Sequence, residues 1–215
     1  MPLCIGGDCL LASKRYYELT SKKCVYNIMP IENIPSVMRR GIVCYDEMQK
    51  IKHTSIALED VQERRNAVVI PNGKRLHRYA NLYFSYNNPM LFRRKEEADH
   101  LCILAVSATV LDLDGCVVSD RNAASNLARF YTSDEGLEII NFKVVHDQYW
   151  TDNNPIKHRE KSAIKCAEIL VPNSLSPELI VGAYVVSEEA KQSLLVNGFD
   201  KRIHVNPKVF YRKGR

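Results

Sequence analysis

In K-C-A-E-I-L-V-P, residues 165–172, a carboxylate stands directly before an apolar run. Alternate residues of an extended chain share a face, so Ile164, Cys166, Glu168 and Leu170 point one way and Lys165, Ala167, Ile169 and Val171 the other. An ionisable side chain on an apolar face belongs either to a solvent edge or to the floor of a cleft. On a floor, desolvation and fixed neighbours set its proton affinity and aim it at a developing positive charge. V-Q-E-R-R, residues 61–65, supplies two adjacent arginines. Two such residues usually mark a solvated face, but one turned inward clamps a diphosphate bidentately. Y-A-N-L-Y-F-S-Y-N-N-P-M-L-F-R-R-K, residues 79–95, sets Tyr79, Tyr83, Phe84, Tyr86 and Phe92 ahead of Arg93, Arg94 and Lys95. That order suits either a core strand and turn or an aromatic wall for a ring or base, rimmed by phosphate contacts.

Other chemistries are poorly provided for. The histidines at 53, 77, 100, 146, 158 and 204 show no metal-ligand spacing, and H-E-x-x-H is absent. The seven cysteines, at 4, 9, 24, 44, 102, 116 and 166, form no C-x-x-C. They read as reduced thiols packed as small hydrophobes in a cytoplasmic protein rather than as a disulfide or zinc framework. There is no G-x-G-x-x-G and no G-x-x-x-x-G-K-[ST]. The net charge of +5 is unevenly placed: +8 over residues 1–95, −9 over 96–200 and +6 over 201–215. A basic first half and tail favour a polyanion on one side of the molecule. No stretch is long and apolar enough for a membrane span, and the N-terminus lacks the n- and h-regions of a secretion signal.

The elements that must position these residues are read from periodicity. Residues 1–23 read as an N-terminal extension and 24–215 as a single domain. Short strands are expected at 25–28, around A-N-L-Y-F-S-Y, over H-L-C-I-L-A-V-S, A-I-K-C-A-E-I-L-V and L-I-V-G-A-Y-V-V, and finally at R-I-H-V-N-P. V-L-D-L-D-G-C-V-V-S-D suggests two fragments joined by a D-G hairpin turn. Helices are expected over I-P-S-V-M-R-R, stopped by Gly41, around E-D-V-Q-E-R-R, and over N-A-A-S-N-L-A-R-F-Y. Two more are expected, from Ser133 or Asp134 to about Trp150, and after Ser187 to Gly198. Without regular β-α-β alternation, this pattern argues for an α+β fold with a mixed or antiparallel central sheet.

Taken in order, Y-N-I-M-P-I-E-N-I-P-S-V, V-Q-E-R-R, A-N-L-Y-F-S-Y-N-N-P-M-L-F, S-D-R-N-A-A-S-N-L-A-R-F-Y, K-C-A-E-I-L-V-P and H-V-N-P-K-V-F-Y resemble the DarT family of DNA ADP-ribosyltransferase toxins. The resemblance spans residues 24 to 212. It implies an ADP-ribosyltransferase-like fold with a split, mostly antiparallel central sheet flanked by helices, and NAD+ as co-substrate with no metal. It also implies single-stranded DNA as acceptor and a macrodomain-type or other de-ADP-ribosylating antitoxin as partner. By position, Glu168 resembles the family's catalytic glutamate and Arg64 its NAD-positioning arginine. Asn27, Met29 and Asn33 fall in the nicotinamide-side segment, and Tyr83 and Met90 in the segment lining the cofactor pocket. Arg121 and Asn122 are implied base contacts. Arg93, Arg94, Lys95 and the tail Arg212, Lys213 and Arg215 are candidate contacts to the DNA backbone.

The chain departs from the pattern at Asn27, where thymine-modifying members commonly carry His within Y-H-I, and at Asn122, where several also carry His. Asn keeps a donor and an acceptor but cannot take up a proton, so the implied target base is guanine or thymine. The competing readings are a transferase acting on RNA or protein, and a non-catalytic nucleic-acid-binding module whose transferase site has decayed.

Overall fold

The computed structural model describes residues 11–56, 59–71 and 73–211. Residues 1–10 of the expected extension and the basic tail at 212–215 therefore lie outside the described residues. The elements run α1 (Ala12–Thr20), β1 (Cys24–Pro30), α2 (Ile34–Arg40), β2 (Ile42–Val43), α3 (Tyr45–Met48), α4 (Glu59–Ala67), β3 (Tyr79–Tyr83), α5 (Pro89–Arg93), β4 (Leu101–Ser107), β5 (Val117–Ser119), β6 (Phe130–Thr132), α6 (Ser133–Ile139), α7 (Phe142–His146), α8 (Pro155–Lys165), β7 (Glu168–Pro172), β8 (Ser174–Leu175), β9 (Ile180–Val185), α9 (Glu188–Val196) and β10 (Arg202–Val205).

Eight strands form one sheet in the order β10-β9-β4-β1-β3-β7-β5-β6, and β2 pairs with β8 in a small second sheet. All pairs in the large sheet are antiparallel except β10 with β9. The sheet is split at its centre. β1 pairs with β4 along its whole length, from Cys24↔Ser107 to Pro30↔Leu101, but meets β3 only at Tyr26↔Tyr83. Beyond that point the two strands diverge, and the opening between them is where a ligand can enter.

Local chemistry explains most boundaries. Asn88, Asn141, Asn154 and Ser187 each accept a main-chain N–H in the first turn of α5, α7, α8 and α9. α6 begins with a full capping box between Thr132 and Glu135. α2 ends at Gly41, which adopts φ +81° and packs so closely on Leu175 that a Cβ there would lie 1.8 Å from the Leu175 carbonyl oxygen. That position requires glycine on both counts.

Several expectations are corrected. The segment from Ala163 is not one strand: α8 continues to Lys165, and β7 begins at Glu168 itself. Asn154 and Pro155 start that helix, with the Asn154 carboxamide oxygen accepting from Ile156 and Lys157 N–H. Residues 122–129 are turns rather than a helix, because their main chain is held by tertiary partners. Asn122 N–H donates to Ala163 O, Ala123 N–H to Glu168, and Arg129 N–H to Asp120 Oδ1. No D-G hairpin forms; β5 pairs with β6 and β7. The stretch from Ser133 to Trp150 is two short helices, broken where Ile140 turns extended (ψ 127°) and Asn141 caps anew. The boundary drawn at residue 24 cuts through the core. Tyr16 of α1 is fully buried and packs its ring against Phe84 and Phe142.

Candidate active site

β7 lies between β3 and β5, so its first residue is flanked on both sides: Glu168 sits opposite Tyr83 and opposite Ser119. The carboxylate is entirely inside the protein. Arg65 Nη1 donates to Oε1 at 3.1 Å and to Oε2 at 3.0 Å, and Ala123 N–H donates to Oε1 at 2.9 Å. The strand is fixed from behind as well. Glu168 N–H donates to Ser119 Oγ at 3.3 Å, and that hydroxyl donates to Arg121 O at 2.7 Å. The main chain of residues 119–123 is thus fastened to the carboxylate and to its strand. A buried carboxylate with such partners is oriented, and breaking the pair would leave a desolvated charge.

Arg65 reaches Glu168 from α4. Adjacent residues on a helix point about 100° apart, so only one of Arg64 and Arg65 can face inward. Arg64 pairs with Asp60 one turn earlier at 3.2 Å and is half exposed at the mouth. Of the two arginines it is Arg65, whose side chain is only 10% exposed, that pairs with Glu168.

A cavity of about 670 Å³ opens along the split in the sheet, with Arg65, Tyr83 and Cys166 on its wall and Glu168 behind them. Of the residues expected to contact cofactor or DNA, Asn27, Met29, Asn33, Arg64, Tyr83, Met90, Arg93, Arg94 and Asn122 all line it; Lys95 and Arg121 do not. The Arg121 guanidinium instead pairs with Asp120 at 3.1 Å. Asn27 bridges the split by donating from Nδ2 to Asn81 O at 3.0 Å, and its buried Oδ1 has no partner. Asn33 is engaged at both ends of its amide by Thr54 N–H and Thr54 O, at 2.9 and 2.7 Å. Arg94 holds Ile56 O and pairs with Glu97. These two residues strap the 51–56 segment along the cavity wall, so both also act as structural clamps. Arg93 is exposed and lines the cavity.

The Tyr83 hydroxyl is driven well above the ordinary phenol range, first by burial and then by the adjacent Glu168 charge. Cys166, on the wall two residues before Glu168, has its thiol pushed up to about 12 by burial and then by Glu168. Neither is a nucleophile near neutral pH. Among the described residues no group of three His, Cys, Asp or Glu side chains is placed to hold a metal, and no helix is long and apolar enough to cross a membrane.

Sequence reasoning missed Arg65, Ser119 and Ala123. For Arg65 the signal was present: Asp60 and Arg64 at i, i+4 mark a solvent-facing ion pair, whereas Val61 and Arg65 at i, i+4 share the opposite stripe. The Ala123 contact is made by the main chain, to which any residue type contributes alike.

The family model described as ssDNA thymidine ADP-ribosyltransferase, DarT, matches residues 26–211. A DNA ADP-ribosyl transferase from Thermus sp. strain 2.9 is 31% identical over 185 residues, covering 79% of this chain and 86% of that protein. A DNA ADP-ribosyl transferase–DNA ADP-ribosyl glycohydrolase fusion protein from Thermosipho africanus is 29% identical over 199 residues, covering 89% of this chain; the chain spans 50% of the fusion's length. The structure of Thermus sp. 2.9 DarT in complex with ADP-ribosylated ssDNA superposes with a TM-score of 0.77 at 26% identity, covering 89% of this chain and 97% of the other.

Proposed function

Because this chain belongs to the DarT family of single-stranded DNA ADP-ribosyltransferases, we propose that it transfers ADP-ribose from NAD+ to a base of single-stranded DNA, and that it does so as the toxin of a toxin–antitoxin pair. The observation that carries the chemistry is the Glu168 carboxylate, entirely buried, held through Oε1 by Ala123 N–H and through both oxygens by Arg65, which itself lines the cavity.

Cleaving the bond between nicotinamide and ribose places positive charge on the ribose. A fixed carboxylate stabilises that charge directly or through a ribose hydroxyl, and it needs no reorganisation when the charge appears. Arg65 and Ala123 N–H supply the fixing. Glu168 also takes the proton released by the attacking base nitrogen. Arg64 and Arg65, one half exposed and one buried, both line the cavity and supply cations to the pyrophosphate, so positioning contributes alongside electrostatics. Asn27 Oδ1, buried and unpartnered on the wall, offers an acceptor to the nicotinamide carboxamide. Met29, Asn33, Tyr83 and Met90 form the remaining cofactor wall.

The DNA side is the 120–129 loop with Asn122, together with Arg93 at the rim. An unpaired base presents its edge without the unstacking cost of a duplex. The family description favours thymine; Asn27 and Asn122 in place of His keep guanine in the comparison. The partner is a de-ADP-ribosylating enzyme, and a macrodomain-type hydrolase is the finer proposal; a glycohydrolase is joined to the transferase in the Thermosipho relative. The chain acts in the cytoplasm, where NAD+ and replicating DNA meet.

The test is toxicity and transfer in parallel. Expression arrests the host, Glu168→Gln relieves the arrest, and labelled NAD+ marks single-stranded DNA rather than RNA or protein. Label on RNA or protein alone would favour those acceptors. Unrelieved arrest would favour a binding module.

A further inference from the structure

The aromatic and basic run at residues 79–95 holds one ring that the cavity does not use. Met90 and Arg93 of α5 line the cavity, whereas Phe92 between them does not. Phe92 is 44% exposed. Two rings brace it edge to face: Trp150, with centroids 6.0 Å apart and planes at 81°, and Tyr211, at 5.2 Å and 86°. Trp150 and Tyr211 meet each other in the same way, at 5.7 Å and 90°. The cluster is fastened from behind. Asn87 Nδ2 donates to Asp147 O and Gln148 O, both at 3.1 Å, and Asn87 Oδ1 accepts from the Tyr211 hydroxyl. Lys165 is entirely buried; it donates to Val145 O at 3.0 Å and to Asp147 O, and its ammonium lies 5.7 Å from the Trp150 centroid. A buried ammonium is retained only with such partners. Lys165 ends α8 just before β7 begins at Glu168, so the rings are fixed relative to the buried carboxylate.

The surroundings of the exposed ring define what would cover it. Arg93, the next residue, is exposed and joins the ring to the cavity rim. Lys95 Nζ lies over the Phe92 ring, 4.9 Å from its centroid. Neither cation forms an ion pair among the described residues. An aromatic face rimmed by uncompensated cations complements a base and the phosphates on either side of it. We propose that Phe92 stacks one unpaired base of the DNA strand that flanks the target base, with Arg93 and Lys95 taking the adjoining phosphates. Stacking of a base outweighs a cation over an exposed ring, so the base takes the ring face and the Lys95 ammonium turns to phosphate. Trp150, Tyr211, Asn87 and Lys165 are positioning residues that hold the ring in place. This deepens the reading of the chain as a single-stranded DNA transferase and rests on it.

The experiment follows binding of fluorescent single-stranded oligonucleotides by anisotropy without NAD+, and transfer with NAD+, for wild type, Phe92→Leu and Phe92→Tyr, with thermal stability alongside. Phe92→Leu keeps apolar bulk against Trp150 and Tyr211 but presents no π-face; Phe92→Tyr keeps the face. Phe92→Leu weakens oligonucleotide binding and raises KM for DNA by about tenfold, with kcat and KM for NAD+ nearly unchanged, and Phe92→Tyr behaves as wild type. A second set of oligonucleotides carries a single abasic site at successive positions beside the target base. One position weakens wild type by the same factor and has no further effect in Phe92→Leu, a coupling that a merely structural ring would not show. The inference is overturned if folded Phe92→Leu binds DNA as wild type does, or if every abasic position affects both proteins alike. Unchanged DNA binding with lost neutralisation by the de-ADP-ribosylating partner would also overturn it, and would make the patch a protein interface. If wild type binds the strand with this coupling but transfers nothing, the platform stands and the transferase reading fails.

Discussion

Arg65 Nη1 bonds both oxygens of Glu168, at 3.1 and 3.0 Å, across a separation of 103 residues in the chain. With the side chains 10% and 1% exposed, the pair is held away from water, and α4, packed on the turn Leu76–Arg78, brings Arg65 to the first residue of β7. One contact therefore joins the stability of the domain to the orientation of the group that does the chemistry.

Removing one partner of a buried pair is more damaging than removing a surface charge. Arg65→Ala is expected to lower stability by about 3–5 kcal/mol, because it strands the Glu168 carboxylate. It also abolishes transfer. Arg64→Ala, which breaks only an exposed pair with Asp60, changes stability by about 0–1 kcal/mol. Urea titration and an activity assay on both variants separate the two arginines, and equal effects would mean that the inward arginine has been misassigned.

Asn27 has two jobs that substitution can divide. Its Nδ2 ties β1 to β3 across the split, and its Oδ1 is unpartnered. Asn27→Ala loses both and is expected to raise KM for NAD+ about tenfold, with a stability loss of about 1 kcal/mol. Asn27→His, which restores the Y-H-I pattern, keeps transfer. A dead Asn27→His would show that the carboxamide itself is required.

Acid stability has an identifiable source in His146. Burial first, and then the charges of Lys22 and Lys165, lower its pKa to about 4. The unfolded chain binds the proton at about 6.5, so stability is fully present above that value and is lost as pH falls from about 6.5 to about 4. The loss amounts to about 1–3 kcal/mol. His146→Phe, which preserves the stack on Phe142, should flatten the stability profile across that window and leave it unchanged above it. A profile identical to wild type would assign the acid sensitivity to other groups.

Salt separates the two rim arginines. If Arg93 contacts a phosphate, Arg93→Ala reduces the slope of log KM for single-stranded DNA against log salt by about 0.7. Arg94 instead holds Ile56 O and Glu97, so Arg94→Ala is expected to raise KM for NAD+ by loosening the 51–56 segment, with no change in the salt slope. Matching slopes for all three proteins would remove Arg93 from the DNA path.

Much of this was legible from residue order. β4, β9, α9 and β10 follow from apolar runs and caps, and the location of Glu168 follows from the conflict between its charge and its neighbours. The cavity wall at Asn27, Met29, Asn33, Tyr83 and Met90 was legible only through family resemblance. What escaped was decided by long-range contacts. Residues 122–129 have helical composition, yet Glu168, Ala163 and Asp120 capture their main chain. Which of Arg64 and Arg65 faces inward follows from helix periodicity, since the Asp60–Arg64 pair marks the solvent side of α4.

The most direct measurement is mass spectrometry of single-stranded oligonucleotides, each lacking one base, after incubation with NAD+ and either wild type or Glu168→Gln. The account predicts one ADP-ribose added by wild type to every strand that contains the target base, none to the strand that lacks it, and none at all with the variant. No adduct on any strand with a folded wild-type protein, or an adduct formed equally by Glu168→Gln, would contradict it.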